Sequence, residues 1–336
     1  MRKLPATIVT GFLGAGKTSL IRHLLAHAHG RRIALVINEF GELGIDREIL
    51  LGCGVEGCSS EDVIELANGC ICCTVADDFL PTITRLLERA APPEHIVIET
   101  SGLALPKPLV QAFAWPEVKT RVTVDGVVAV IDAAAVAAGR FADEAAPGAT
   151  PAAAHDNPLA EVFEDQLACA DLVLLNKSDL VGADDLARVE RMIRGALRPA
   201  VKLLRASHGA VSPAVLLGLA AAAEDDLAAR PSHHDLEGEH DHEDFESFVV
   251  ARGPVGDPQH FLTRLARLMS AHDVLRLKGF LDVPGKEFRQ VVQGVGERLQ
   301  HYFDRPWRAD ETRATRLVVI GRKGLDREAI AAALEG

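Results

Sequence analysis

Residues 68–75, NGCICCTV, bring Cys70, Cys72 and Cys73 together in a chain with six cysteines in all. Thiols this close can fill a core, run a redox switch or bind a metal. In a reducing compartment structural disulfides are disfavoured, so clustered thiols there serve metal binding or redox work. In extended backbone successive side chains alternate faces, so Cys70 and Cys72 point one way and Cys73 the other. All three converge only where the loop turns, which Gly69 permits. The stretch reads as a site of two or three thiolates completed by other groups.

A second constellation, GFLGAGKT at residues 11–18, fits G-x-x-x-x-G-K-[ST] between the apolar run ATIVT and an amphipathic helical pattern. Its chemistry is phosphate binding. Backbone N–H groups of Gly11, Gly14, Ala15 and Gly16 can line a concave nest, and Lys17 reaches the β- and γ-phosphates of a nucleoside triphosphate. Thr18 is a candidate ligand of Mg²⁺, and Ser19 lies with it in the helix's first turn, where the dipole favours anions. IVIETSG, residues 96–102, ends a buried run on an acid. Glu99 is thus a candidate to hold Mg²⁺ directly or through water, and the Gly102 N–H to meet the γ-phosphate. Lys17 and Glu99 are the candidate catalytic residues.

NKSD, residues 176–179, follows the run DLVLL. Asp179 can accept from the N1–H and exocyclic amine of guanine, donors that adenine lacks, so a site built this way rejects adenine. Asn176 and Lys177 complete the motif, and residues 206–208, ASH, are a weaker candidate for a further base-contacting loop. The bound species is therefore expected to be GTP with Mg²⁺.

Other candidates are less specific. NEFGELGID, residues 38–46, follows the second apolar run, and its Glu39 and Glu42 could reach a metal on the same rim as the phosphates. Cys53 and Cys58 read as surface cysteines, with further thiolate supply as the alternative. Cys169 reads as core. His23 and His27 have a metal-capable i, i+4 spacing, but Leu24 and Leu25 facing inward would leave them on the solvated face. Residues 233–246 hold four histidines and seven acids, a composition that gathers divalent ions without fixed geometry.

These groups need a scaffold, and the pattern supplies one. ATIVT, RRIALVIN, EHIVIET, DGVVAVID, ADLVLLN and AVKLLRA are short β-branched runs alternating with helical patterns. Runs apolar throughout suit strands buried on both faces, and the alternation predicts βαβ units around a parallel sheet. The expected fold is α/β, a P-loop NTPase-type doubly wound, mostly parallel sheet over residues 1–223. An acidic His-rich linker over 224–244 and a smaller α+β domain over 245–336 follow. Lys plus Arg number 36 against 48 Asp plus Glu, a balance of −12. That excludes a general basic field for nucleic acid or an anionic membrane surface. The first residues are too rich in glycine and too short in apolar run for a secretory signal or membrane span, so a soluble, cytoplasmic protein is expected.

GFLGAGKTSLIRHLL, VINEFGELGID, ELANGCICCTVADDF, IETSGLALPKPLV and FEDQLACADLVLLNKSD together resemble the CobW family of metal-handling P-loop GTPases. The resemblance covers most of the first 180 residues, and the histidine tract and small C-terminal domain fit the same plan. It implies GTP hydrolysis coupled to holding and delivering a divalent metal, with Cys70, Cys72 and Cys73 as the metal site. It further implies Co²⁺ as cargo for cobaltochelatase in cobalamin biosynthesis, with a Zn²⁺-handling chaperone or a metal storage or sensing protein as the alternative. Physics does not select cobalt, since Zn²⁺ stands above Co²⁺ in the Irving–Williams order at most N/O/S sites.

Overall fold

The β-branched runs become the strands of a parallel sheet in the computed structural model, which describes residues 3–28, 30–38, 63–66, 79–140, 158–232, 245–272, 274–295, 298–308 and 311–335. The strands are β1 (Leu4–Thr10), β2 (Ile33–Asn38), β3 (Val63–Leu66), β4 (His95–Glu99), β5 (Val122–Asp132), β6 (Leu172–Asn176) and β7 (Lys202–Arg205). They hydrogen-bond in the order β3-β2-β4-β1-β5-β6-β7, and every pairing is parallel. The chain moves from β1 to one side through β2 and β3, returns to β4, and then builds outward from β5. The carboxyl end of β1 therefore opens at the switch point where ligands of doubly wound sheets bind.

Among the described residues the five longest helices of this unit cover the sheet at apolar spacing: α1 (Lys17–Ala26), α2 (Leu80–Leu87), α3 (Pro106–Ala112), α4 (Pro158–Cys169) and α5 (Ala183–Ala196). One core joins Ile8, Ile96 and Ile98 to Ile83 and Leu86 of α2 and Leu109 of α3. Another joins Ile131, Val173 and Leu175 to Phe163 and Leu167 of α4 and Ile193 of α5. Six of the seven strands coincide with the apolar runs of the sequence. β3 does not, because VIEL spans four residues and carries a glutamate, too little for a strand pattern to register.

Residues 224–232, read from sequence as the start of the linker, instead dock onto this first unit. Glu224 accepts from the Thr123 hydroxyl at 2.6 Å and the Val124 N–H at 2.9 Å. Arg230, 1% exposed, donates to the Asp171 carboxylate at 2.6 Å and to the Cys169 carbonyl. Ser232 donates to Asp165 at 2.6 Å. Polar composition suggested solvation, but these charges are paired and buried.

The second unit is an antiparallel sheet of β8 (Phe245–Arg252), β9 (Val274–Leu281), β10 (Phe288–Val295), β11 (Arg298–Pro306) and β12 (Thr315–Arg322), in the order β11-β10-β9-β12-β8. Helices α6 (Pro258–Ala271) and α7 (Arg327–Glu335) pack Leu265, Leu268, Ile330 and Leu334 against Leu277, Val292, Leu317 and Val319. Asp257 caps α6 by accepting the His260 N–H at 3.0 Å, the geometry that starts a helix after an irregular turn.

Candidate functional site

The phosphate loop begins where β1 ends. Gly16 caps α1 with φ 107°, a left-handed conformation that costs L side chains energy, and a Cβ there would also run into the Asn176 side-chain amide. The first-turn N–H groups of α1 have no intrahelical acceptor and face the loop, a ready anion site. Leu20, Ile21, Leu24 and Leu25 are buried, which fixes the axis of the helix. Lys17 is 5% exposed, and its ammonium curls over the loop, donating to the Gly11 carbonyl at 2.7 Å and the Phe12 carbonyl at 3.4 Å. Such a group loses little by exchanging those carbonyls for phosphate oxygens.

Glu99 ends β4 in the strand position next to Val9 of β1 and Ile37 of β2. The Thr18 hydroxyl donates to its Oε1 at 3.1 Å, so two sequence candidates 81 residues apart meet. The pair offers only oxygen, as a hard cation such as Mg²⁺ requires, beside the loop that precedes α1. Mg²⁺ therefore fits these donors. After Glu99 the chain crosses the loop: Thr100 N–H donates to Val9 O at 3.0 Å and its hydroxyl to Thr10 Oγ1 at 3.1 Å. Gly102 then lies on the phosphate loop so closely that a Cβ would come within 2.7 Å of the Leu13 nitrogen.

On the other side of the loop, Asn176 is 2% exposed and joins three segments. Its amide donates to the Ala15 carbonyl at 2.8 Å, and its oxygen accepts the Gly209 N–H at 3.0 Å. Lys177, held at φ 57°, donates to the Gly14 carbonyl at 2.6 Å and to Asp132 at 2.8 Å. Asp179 accepts from the Ser207 hydroxyl at 2.6 Å, which lowers its pKa from the ordinary carboxylate value and keeps it an anion able to accept from a base edge. The weakly signalled loop at residues 206–208 is thus in place beside NKSD, with Ala206 also accepting from the Ser178 hydroxyl at 2.9 Å.

Two residues here escaped the sequence reading. Asp132, 4% exposed at the end of β5, takes Lys177 on one oxygen and caps the short helix Ala133–Ala137 through the Ala135 N–H at 3.0 Å on the other. Its signal was an acid ending the run DGVVAVID, the same strand-end position that singled out Glu99. Gln166, 2% exposed on α4, donates to the carbonyls of Gly102 and Ala104, both at 3.3 Å. A lone amide on the apolar stripe between Phe163 and Leu167 was its only trace. Cys169 is core, and burial pushes its thiol up to about 11. His23 and His27 stack with ring centroids 4.1 Å apart, His27 exposed. Glu39, Glu42, Cys53, Cys58, Cys70, Cys72, Cys73 and the histidines His233, His234, His240 and His242 lie outside the described residues.

Known proteins carry the same design. The model described as "CobW/HypB/UreG, nucleotide-binding domain" matches residues 5–205, and "Cobalamin synthesis protein cobW C-terminal domain" matches residues 245–336. The chain belongs to the CobW/HypB/UreG family. It is 54% identical over 341 residues to a protein of Sinorhizobium sp named Zinc chaperone CobW, covering 99% of this chain and 96% of that one. A protein of the same name from Pseudomonas aeruginosa is 54% identical over 342 residues, covering 98% and 90%. Zinc chaperone YjiA of Escherichia coli is 32% identical over 345 residues, covering 100% and 99%. This CobW/HypB/UreG member is a GTPase and a metal-handling chaperone. Among its described residues no helix is long and apolar enough to cross a membrane.

Proposed function

We propose that the chain binds Mg²⁺-GTP on the loop of Gly11, Gly14, Ala15, Gly16, Lys17, Thr18 and Ser19 and uses its hydrolysis to load and release a divalent metal for an acceptor enzyme. The observation that carries the nucleotide half is the Thr18–Glu99 hydrogen bond at 3.1 Å, which sets oxygen donors at the phosphate loop. Thr18 and Glu99 would hold Mg²⁺ there, which would supply neutralisation of the phosphate charge. Lys17 moves from the Gly11 carbonyl to the phosphates, the Gly102 N–H meets the γ-phosphate, and Asp179, backed by Asn176 and Lys177, reads guanine.

The cargo half rests on Cys70, Cys72 and Cys73, with Glu39 as a fourth donor. Support comes from where the strands before them end. Asn38 at the end of β2 and Leu66 at the end of β3 are register partners, and β2 lies beside β4, so both strands end on the rim where Glu99 stands. The names of the relatives and the Irving–Williams order both support Zn²⁺ as the cargo ahead of the Co²⁺ that the sequence resemblance first suggested. The acceptor is then a zinc enzyme; cobaltochelatase and cobalamin biosynthesis follow only if the cargo is cobalt.

The test is a linkage experiment. Zn²⁺ and Co²⁺ affinities are measured with a non-hydrolysable GTP analogue, with GDP and without nucleotide, and the thiolate-to-Co²⁺ absorption reports thiolate ligation directly. Tighter metal binding with the analogue is expected, matched by an equal tightening of analogue binding by metal. Equal affinities in all three states would refute coupling, and survival of the band in Cys72→Ala would move the site elsewhere.

A further inference from the structure

Gln166 lies in the stretch FEDQLACADLVLLNKSD but in neither the phosphate, the NKSD nor the thiol motif, and it ties α4 to the segment following Glu99. An amide NH₂ has two hydrogens, and here they meet the carbonyls of Gly102 and Ala104, both at 3.3 Å. Only a double donor satisfies both acceptors from one position. The same side chain lines a small cavity with Gly11, Phe12 and Asp132, directly under the phosphate loop. The segment is therefore pinned at both ends, at its start by Thr100 on Thr10 and at its end by Gln166. Gly102 is itself one of the two residues held at the second pin, and it lies against Leu13 with no room for a side chain.

We propose that Gln166 is a positioning residue that holds the Gly102 turn against the phosphate loop so that the Gly102 N–H is presented to the γ-phosphate. This rests on the reading of Gly102 as the γ-phosphate contact. GDP has no γ-phosphate, so Gln166 acts on triphosphate recognition and turnover and leaves diphosphate binding alone. α4 also runs into β6, whose end carries Asn176, so one helix joins the triphosphate-sensing turn to the base-reading strand.

The test uses the full-length chain with Gln166→Glu, which keeps the shape and replaces the donors with acceptors, and Gln166→Met, which removes them. GDP and GTPγS affinities and steady-state phosphate release are measured for each. GDP affinity should stay within about threefold of the parent, which also reports a folded site, while GTPγS affinity and turnover fall about tenfold. Equal losses for both nucleotides, or no loss for either, overturn the proposal, since that is what a merely structural amide gives. Exchange of the Gly102 N–H in the parent separates the two layers. If it slows with GTPγS and not with GDP while the Gln166 variants do not split the nucleotides, the role of Gln166 falls and the Gly102 contact stands; if neither shows a difference, both fall. In the parent protein, amide exchange over residues 99–105 and 163–167 should slow together with GTPγS and less with GDP. Protection confined to one segment counts against the link.

Discussion

The two rims of the parallel sheet are both rich in buried charge, and they use it differently. At the carboxyl rim Lys17, Thr18, Glu99, Asp132, Asn176 and Lys177 bond across loops to one another and to the carbonyls of the phosphate loop, over a helix start with donors to spare. At the amino rim the charges are consumed by the fold. Asp125 accepts the N–H groups of Gly218, Leu219 and Ala220 at 2.5, 3.1 and 3.0 Å, and Asp171 takes Val127 N–H at 2.9 Å and Arg230 at 2.6 Å. Arg198 adds a second cation to Asp171 at 3.3 Å. Buried charge alone therefore does not mark a functional site. Strand direction does, because at the carboxyl rim the charge lies beside the first turn of α1, whose N–H groups a helix leaves without intrahelical acceptors.

Breaking one member of each rim should separate the two behaviours. Lys17→Ala is expected to reduce GTP turnover about a thousandfold with little change in melting temperature, read by phosphate release and calorimetry. Arg230→Leu should do the reverse, lowering stability by about 3 kcal/mol in denaturant titration while turnover per folded molecule stays within about twofold. If Arg230→Leu abolished turnover in folded protein, the contrast between rims would fail.

His95 sharpens the comparison through pH. It is 5% exposed at the start of β4, its Nε2 is 2.8 Å from the Thr7 hydroxyl, and burial lowers its pKa to about 4. The folded protein holds it neutral while the unfolded chain protonates near its ordinary value of 6.5. Its contribution is thus complete above pH 6.5 and is lost as pH falls toward 4, at most about 3 kcal/mol. His95→Gln should flatten that part of the stability curve and leave the pH dependence of GTP binding unchanged. The smallest effect belongs to Asp132→Asn, which weakens its hold on Lys177. GTP and GDP affinities should drop together by about fivefold, in contrast to the Gln166 variants.

The carboxyl rim was largely legible in the sequence because its key residues sit in short motifs whose backbone geometry is local. Lys17 and Thr18 follow from the glycine spacing, and Asn176 and Asp179 from a tetrapeptide at a strand end. Asp132 and Gln166 left only a strand-end acid and a lone amide on an apolar stripe as local traces, and neither trace says what they bind, since those partners lie 45 and more than 60 residues away. The amino rim was misread at residues 224–232 for a related reason. Composition does not distinguish a charge in water from Glu224 against Thr123 or Arg230 against Asp171. The small C-terminal sheet was easier, because alternation along antiparallel strands is a property of each strand by itself.

Gly16 and Asn176 occupy what is sterically a single place: the space a side chain at residue 16 would need is filled by the Asn176 amide. That amide is also bonded to Ala15 and Gly209. A descendant of this sequence could not acquire even alanine at residue 16 by one step without displacing the strand end at which NKSD begins. On the proposed assignment of these residues, phosphate grip and base choice are thereby tied in mutational history. On that assignment a route from guanine to another base must either leave this contact untouched or change both positions at once.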